Sequence, residues 1–364
     1  MESALMTNDT AGGVATGGTD ERGLGSDPAA IHRSTIVVNG LDPSSLRVEY
    51  LDLLKAGGVS CWVGADGNGL AYFAATRRFC EEHPEKIVFA ESVRDIRQAY
   101  RDRKIAYIAP WQDASILLDS GVTYAPAIGI LGAYHALGLR ICGIAYNLAN
   151  DFGGGCLEPE IGLTLAGRRL VEQVHKLRIV LDVGGHTGEK TSLDALAMSA
   201  GVPVVCTHTN VRALNDNPRC TSDKVLEGIA ASGGVVGVCA FNDFLARTRN
   251  DAQVRRTPQV GLDRYLDQFD YLRKLIGVDH IGLGPDFIEG RPGLDTPVSE
   301  VRQQLMPPEA YSRERPWYYV KGFERISELP NVTRGLMNRG WSIAQIRKVL
   351  GENWLRVYEQ VWGR

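Results

Sequence analysis

The chain has 364 residues, of which 44% are hydrophobic and 23% charged, with a formal net charge of −3 and a pI near 6.2. That size and apolar content suffice for one large α/β core or two smaller ones. The near-neutral balance gives no electrostatic basis for nucleic acid or an anionic membrane surface as partner, and neither is expected.

Seven cysteines, an odd set without CxxC spacing, lie mostly inside apolar strand-like runs and read as small core residues in a reducing compartment. No apolar run approaches the ~20 residues that span a bilayer. Residues 1–33 are rich in Gly, Ala, Thr, Asp and Ser without a basic start or an apolar stretch, so they read as a disordered arm rather than a signal peptide. The cytoplasm is the expected location.

In chain order, a β-branched run predicts a strand over 35–39, helical spacing predicts a helix over 44–56, and a second strand follows over 59–63. A helix over 70–82 precedes a doubtful strand at 86–90, and Ser92 opens a helix to about Arg103 with capping-box chemistry. Strands over 105–109 and 139–145 flank a helix over 125–137. The Gly153-Gly154-Gly155 run reads as a flexible loop, since no Lys-Ser/Thr follows to make it a phosphate cradle. A helix to Leu177 then leads into the most informative stretch, 179–214. There Ile179 to Val183 and Val202 to Thr207 are two short buried-strand patterns separated by a helix over 191–200. Each runs out at a histidine, His186 after a Gly-Gly break and His208 directly.

Beyond lie a helix over 223–231, a strand over 234–240, a helix over 261–276 and a strand over 280–283. Residues 288–316, dense in Pro and charge, read as a long loop near the site. A helical tail over 318–362 is expected to pack on the outside. Eight strands alternating with helices over about 250 residues predict an α/β fold, a closed (β/α)8 TIM barrel occupying 34–364 with a C-terminal helical extension from about 318. A doubly wound open sheet is the alternative, but no GxGxxG follows the first strand.

In such a barrel the residues just after the strands converge on one face. They are Trp111, Gln112 and Asp113, then Tyr146 and Asn147, His186, His208 and Asp286. Two imidazoles with an oxygen donor suit zinc or another divalent ion with an open position for water. Such an ion lowers the pKa of bound water to about 7, and a nearby carboxylate such as Asp286 could move the proton. For each residue alone a plain structural role competes: a single strand-end histidine is more often a hydrogen-bonded cap.

Four motifs stand out: GLTLAGRRLVEQVHKLRIVLD leading to His186, PVVCTHTNVRAL with NPR around Arg219, GVDHIGLGPDF containing Asp286, and GENWLRVYEQV near the end. Together they resemble the membrane (renal) dipeptidase family of metal-dependent amidohydrolase-type barrels, over about residues 35–363. The resemblance implies that His186 and His208 ligate the second metal of a pair, that Asp286 is the acid/base, that Arg219 holds a substrate carboxylate, and that the protein is a homodimer. His186 aligns with one residue inserted after Asp182.

Elsewhere the pattern departs. The family's Asp-Gly-His-Asn-Asp stretch is Asn39-Gly40-Leu41-Asp42-Pro43 here, which removes both first-metal ligands. Its bridging glutamate corresponds to Gln112, a neutral group with one carbonyl oxygen, and its carbonyl-polarising histidine corresponds to Tyr146. The expected function is a hydrolase of a small amide or peptide-like, carboxylate-bearing substrate. One ion would be held by His186, His208 and Gln112, with catalytic Asp286 and Tyr146. Arg219, Asn147, Asp113 and Trp111 would contact substrate. Two alternatives stay open: a metal-free or metal-poor lyase, isomerase or tailoring enzyme, and a non-catalytic ligand-binding protein.

Overall fold

The structure is a computed structural model that describes residues 27–118, 127–291 and 306–363. Its strands are β1 (Val38–Asp42), β2 (Cys61–Gly64), β3 (Ile87–Phe89), β4 (Ile105–Trp111), β5 (Leu139–Gly143), β6 (Val180–Asp182), β7 (Val204–Thr209), β8 (Val236–Val238) and β9 (Ile281–Leu283). All ladders are parallel, in the order β1-β2-β4-β5-β6-β7-β8-β9. These eight strands make a nearly closed barrel with flanking helices, as the sequence predicts. The doubtful strand is real but lies off this path, as β3 pairing the first half of β4.

Successive strand residues enter two different apolar clusters, as a period of two requires. Val38, Cys61, Val63, Ala106, Ile108, Ile141, Val180, Val205 and Val235 share one cluster. Their neighbours Val37, Trp62, Tyr107, Cys142, Leu181, Val204 and Val236 belong to the other. The first set is small and β-branched, the filling expected of a barrel interior.

The tail departs from expectation. Beyond the helix Leu329–Asn338 come the short helix Ile343–Arg347, a π-turn Lys348–Glu352 and the helix Asn353–Trp362. This last helix does not lie on the outside: Trp354, Val357, Tyr358 and Val361 join the interior strand cluster. A Cβ placed on Gly40 of β1 would stand 2.5 Å from the Trp354 ring, and one on Gly282 of β9 would stand 2.3 Å from its indole nitrogen. Trp354 thus wedges into the seam between the first and last strands, which is open to it only because both positions are glycine. The indole N–H donates to Leu283 O at 3.2 Å. Above the wedge, Asp286 N donates to Leu41 O at 3.0 Å.

Two further expectations change. The N-terminal arm was expected to run to Arg33, but Pro28–Arg33 is a helix capped by Asp27, with Ile31 and His32 buried; residues 1–26 lie outside the described residues. The run 153–155 is no flexible loop. A Cβ on Gly155 would collide with Asn147 C at 2.2 Å, and Gly188 N donates to Gly154 O at 2.8 Å, so the glycines permit close packing of two segments. Residues 125–126 of the predicted helix and 292–305 of the predicted loop also lie outside the described residues.

Replacing Trp354 with alanine should open a cavity along the seam and cost about 3–5 kcal/mol of stability, read as a lowered denaturant midpoint. An unchanged midpoint would show that the seam does not need the wedge.

Candidate active site

The strand ends carry a pocket of about 620 Å³ whose walls include Gln112, Tyr146, His186, Asp286 and Arg291, together with aromatic rings from 241–244 and 311–319. A second, polar compartment of about 730 Å³ adjoins it through Gln112, Tyr146 and Arg291 and is lined by Asp66, Asn68 and Asp113.

The two histidines reach this region by different routes. After β6 the chain stays paired through Val183 N to Val205 O at 2.8 Å, then turns through Gly184 and Gly185 at φ 72° and 56°. Those left-handed residues absorb the extra position after Asp182 and swing His186 into the wall. A Cβ on Gly185 would meet His208 O at 2.7 Å and Arg219 Nη1 at 2.9 Å. His208 lies within β7, with its ring edge-on to His186 at 4.9 Å.

Hydrogen bonds set both tautomers. Asn147 Oδ1 can only accept, so His186 Nδ1 donates to it at 2.7 Å, leaving the Nε2 lone pair to accept from Arg219 Nη2 at 3.3 Å. Thr207 Oγ1 gives its proton to Asp182 Oδ2 at 2.6 Å, so it accepts from His208 Nδ1 at 2.9 Å. His208 Nε2 is then a buried lone pair with no partner among the described residues. Burial first, and the Arg219 charge second, hold both imidazoles well below their ordinary pKa, so both are neutral at pH 7. Tyr146 stacks on His186 with ring centroids 3.8 Å apart.

Arg219 is wholly buried behind this wall. One face covers the Phe244 ring at 4.8 Å, and Nε and Nη1 have no partner among the described residues. A buried guanidinium with two idle donors is costly unless an anion meets it. Asp286 lines the pocket at φ 62°, with its carbonyl accepting from Tyr319 Oη at 2.7 Å. Burial pushes its carboxyl up to about 7, against the opposing pull of Arg219 and with a further push from Asp42.

The structure separates the remaining expected residues. Asp113 faces the polar compartment while its carboxylate accepts from Ser115 N at 2.7 Å. Asn147, buried and at φ 62°, holds the His186 ring rather than lining the pocket. Trp111 is also away from the pocket walls: its indole N–H donates to Asn68 O at 2.8 Å and its ring meets Tyr134 edge-on at 4.5 Å. Sequence reasoning passed over Arg291, the aromatic wall and Asp182. A lone aspartate in an apolar strand run and the aromatic density of 317–319 were the available signals.

A metal fits this donor set poorly. Leu41 is buried and apolar, and Asp42 is turned into the fold. Its carboxylate accepts from Asn39 Nδ2 at 2.8 Å and Ser44 N at 2.9 Å, as well as from the Tyr50 hydroxyl. Among the described residues no three His, Cys, Asp or Glu side chains gather around one point. The lone pair that His186 would offer an ion already accepts from a guanidinium, and a cation there would meet like charge. The expected trio His186, His208 and Gln112 therefore fits an ion poorly at His186.

A parallel barrel of this kind with its pocket at the strand ends is of the amidohydrolase type. More narrowly, the chain belongs to the membrane dipeptidase family, peptidase family M19, whose family model matches residues 65–303 and 317–362. It is 32% identical over 278 residues to the Klebsiella pneumoniae "uncharacterized protein in pqqA 5'region", covering 74% of this chain and 88% of that protein. Dipeptidase tcpJ of Claviceps purpurea is 25% identical over 288 residues, 78% of this chain and 58% of that protein. Among solved structures, an amidohydrolase from Pseudomonas aeruginosa superposes with a TM-score of 0.79 at 28% identity, covering 93% of this chain and 100% of that one. A Rhodobacter sphaeroides metallo peptidase, liganded with a phosphinate mimic of L-Ala-D-Ala, shares the fold with a TM-score of 0.70 at 22% identity, covering 90% of this chain and 100% of that one. No helix among the described residues is long and apolar enough to cross a membrane, and all seven cysteines are free and buried.

The raised carboxyl has a consequence for stability. As pH rises, the unfolded chain loses the Asp286 proton near 3.8 while the folded chain keeps it to about 7. The stabilisation from the protonated form is complete below the lower value and is lost progressively up to the higher one. Asp286→Asn should therefore be more stable than the parent near pH ~8, with a flatter pH dependence below ~7. Equal pH slopes for the two proteins in thermal melts would contradict the assignment.

Proposed function

We propose that this protein is an enzyme acting on a small, peptide-like molecule that carries a carboxylate, and that it works by acid–base chemistry centred on Asp286 rather than through a pair of metal ions. The observation that carries the reading is Asp286 itself, a pocket-lining carboxyl whose pKa of about 7 lets it both take and give a proton near neutrality. Arg219, with its idle Nε and Nη1 behind His186 and Phe244, supplies the cation for the substrate carboxylate. Asp182, Thr207 and Asn147 fix the tautomer and orientation of the two imidazoles, which burial and the Arg219 charge keep neutral.

For amide hydrolysis, the chemistry to which the family membership lends weight, Asp286 takes a proton from the attacking water. It then returns that proton to the leaving amine, while Tyr146 faces the oxyanion. A second reading keeps the same residues and moves a proton within the substrate, as an isomerase or lyase would. What favours it is the missing ligand set: Leu41, Pro43 and Gln112 stand where the resemblance implies metal ligands. The two readings part on product mass, since hydrolysis adds a water and isomerisation does not.

With dipeptides and N-acyl amino acids as substrates, kcat/KM should rise with pH through an inflection near 7. Asp286→Asn should lower it by about 10²-fold or more and remove the inflection. Turnover should survive dialysis against a strong chelator. Stoichiometric bound metal with chelator-sensitive turnover would overturn the acid–base reading in favour of a single-ion hydrolase.

A further inference from the structure

We propose that the pocket walled by aromatic rings is an aromatic subsite, so that the substrate of the reaction above carries a planar aromatic ring; the inference rests on that reading for the carboxylate and the chemistry. Five rings wall one side of the pocket: Phe241, Phe244, Tyr311, Trp317 and Tyr319. They meet edge-to-face, Phe241 with Trp317 at 5.4 Å and 85°, Phe244 with Tyr311 at 5.4 Å and 76°, and Phe241 with Tyr319 at 5.7 Å and 76°. The same rings border the cavity, so their packing against one another leaves part of the wall open to a ligand.

The wall is also held rigid. Trp317 Nε1 donates to Ser312 O at 2.7 Å. Ser312 in turn donates through N and Oγ to the buried Asp243 carboxylate, at 2.7 and 2.8 Å. Tyr319 Oη donates to Asp286 O at 2.7 Å and accepts from Ile288 N at 2.9 Å, so the wall is tied directly to the acid/base residue. The stacked Tyr146–His186 pair lines the same pocket. A flat ring entering it meets fixed edges and faces with little side-chain ordering left to be done. The adjoining compartment, with Asp66, Asn68 and Asp113, suits the polar amino-terminal portion of the same molecule. The substrate class is therefore an aromatic amino-acid derivative or an aromatic dipeptide, not a small aliphatic one.

The test is calorimetric titration of the full-length protein with N-acetyl-L-phenylalanine, N-acetyl-β-cyclohexyl-L-alanine and N-acetyl-L-alanine, probes alike in carboxylate and backbone. The phenyl probe should bind about 3- to 10-fold more tightly than its saturated counterpart, since ring–ring contact adds to area burial. The alanine probe should be weakest. Trp317→Leu should erase the phenyl-over-cyclohexyl preference; if that variant does not fold, the comparison on the unaltered protein still decides. Equal or inverted phenyl and cyclohexyl affinities, or no binding of any probe, overturn the inference. Loss of turnover in Asp286→Asn without ring preference sinks the aromatic subsite alone. Ring preference with a fully active Asp286→Asn sinks the reaction reading alone.

Discussion

The seam between β1 and β9 is the constraint on which the rest of the molecule depends. No ladder joins these strands, so closure rests on the Trp354 wedge between Gly40 and Gly282 and on the hydrogen bond from Asp286 N to Leu41 O. That bond fixes Asp286 in a left-handed conformation and brings its carboxyl within electrostatic reach of Asp42. Burial is the main reason this carboxyl resists ionising, and the nearby buried Asp42 adds to it. Structural closure and the perturbed acid thus share one stretch of backbone, and Tyr319 links that stretch to the aromatic wall.

Charge explains the rest of the site. With Leu41, Pro43 and Gln112 near the strand ends, these positions offer no anionic side chain. Positive charge comes instead from Arg291 on the pocket wall and from Arg219 buried behind His186, which uses one amino group on His186 and leaves Nε and Nη1 without a partner among the described residues. The histidines keep the tautomer that leaves Nε2 unprotonated, because Asn147 and the Asp182–Thr207 pair accept, directly or through the Thr207 hydroxyl, from the opposite nitrogen.

The histidines were legible because each sits where a short apolar run gives out, and the run, the glycine break and the helix between them are all local signals. The capping box at Ser92 and Asp95 was legible for the same reason. The aromatic wall was not. Phe241 and Trp317 are distant in sequence, and nothing in their separate neighbourhoods marks them as meeting at 5.4 Å. Trp111 looked as suitable as Tyr146, since both follow a strand; only the direction of the side chain sends one into the Tyr134 contact and the other into the pocket.

By itself, then, the sequence determined the alternation of strands and helices, the barrel class, and the strand-end placement of His186, His208 and Asp286, because periodicity of 2 and 3.6 is written residue by residue. It also determined what is missing, since Leu41 cannot ligate a metal in any conformation. Only the tertiary structure decided that the final helix closes the barrel, that Asp42 turns inward to Tyr50, and that Arg219 lies against His186. Those outcomes depend on burial and charge shared between segments far apart in the chain, and such energies exist only once the segments have met.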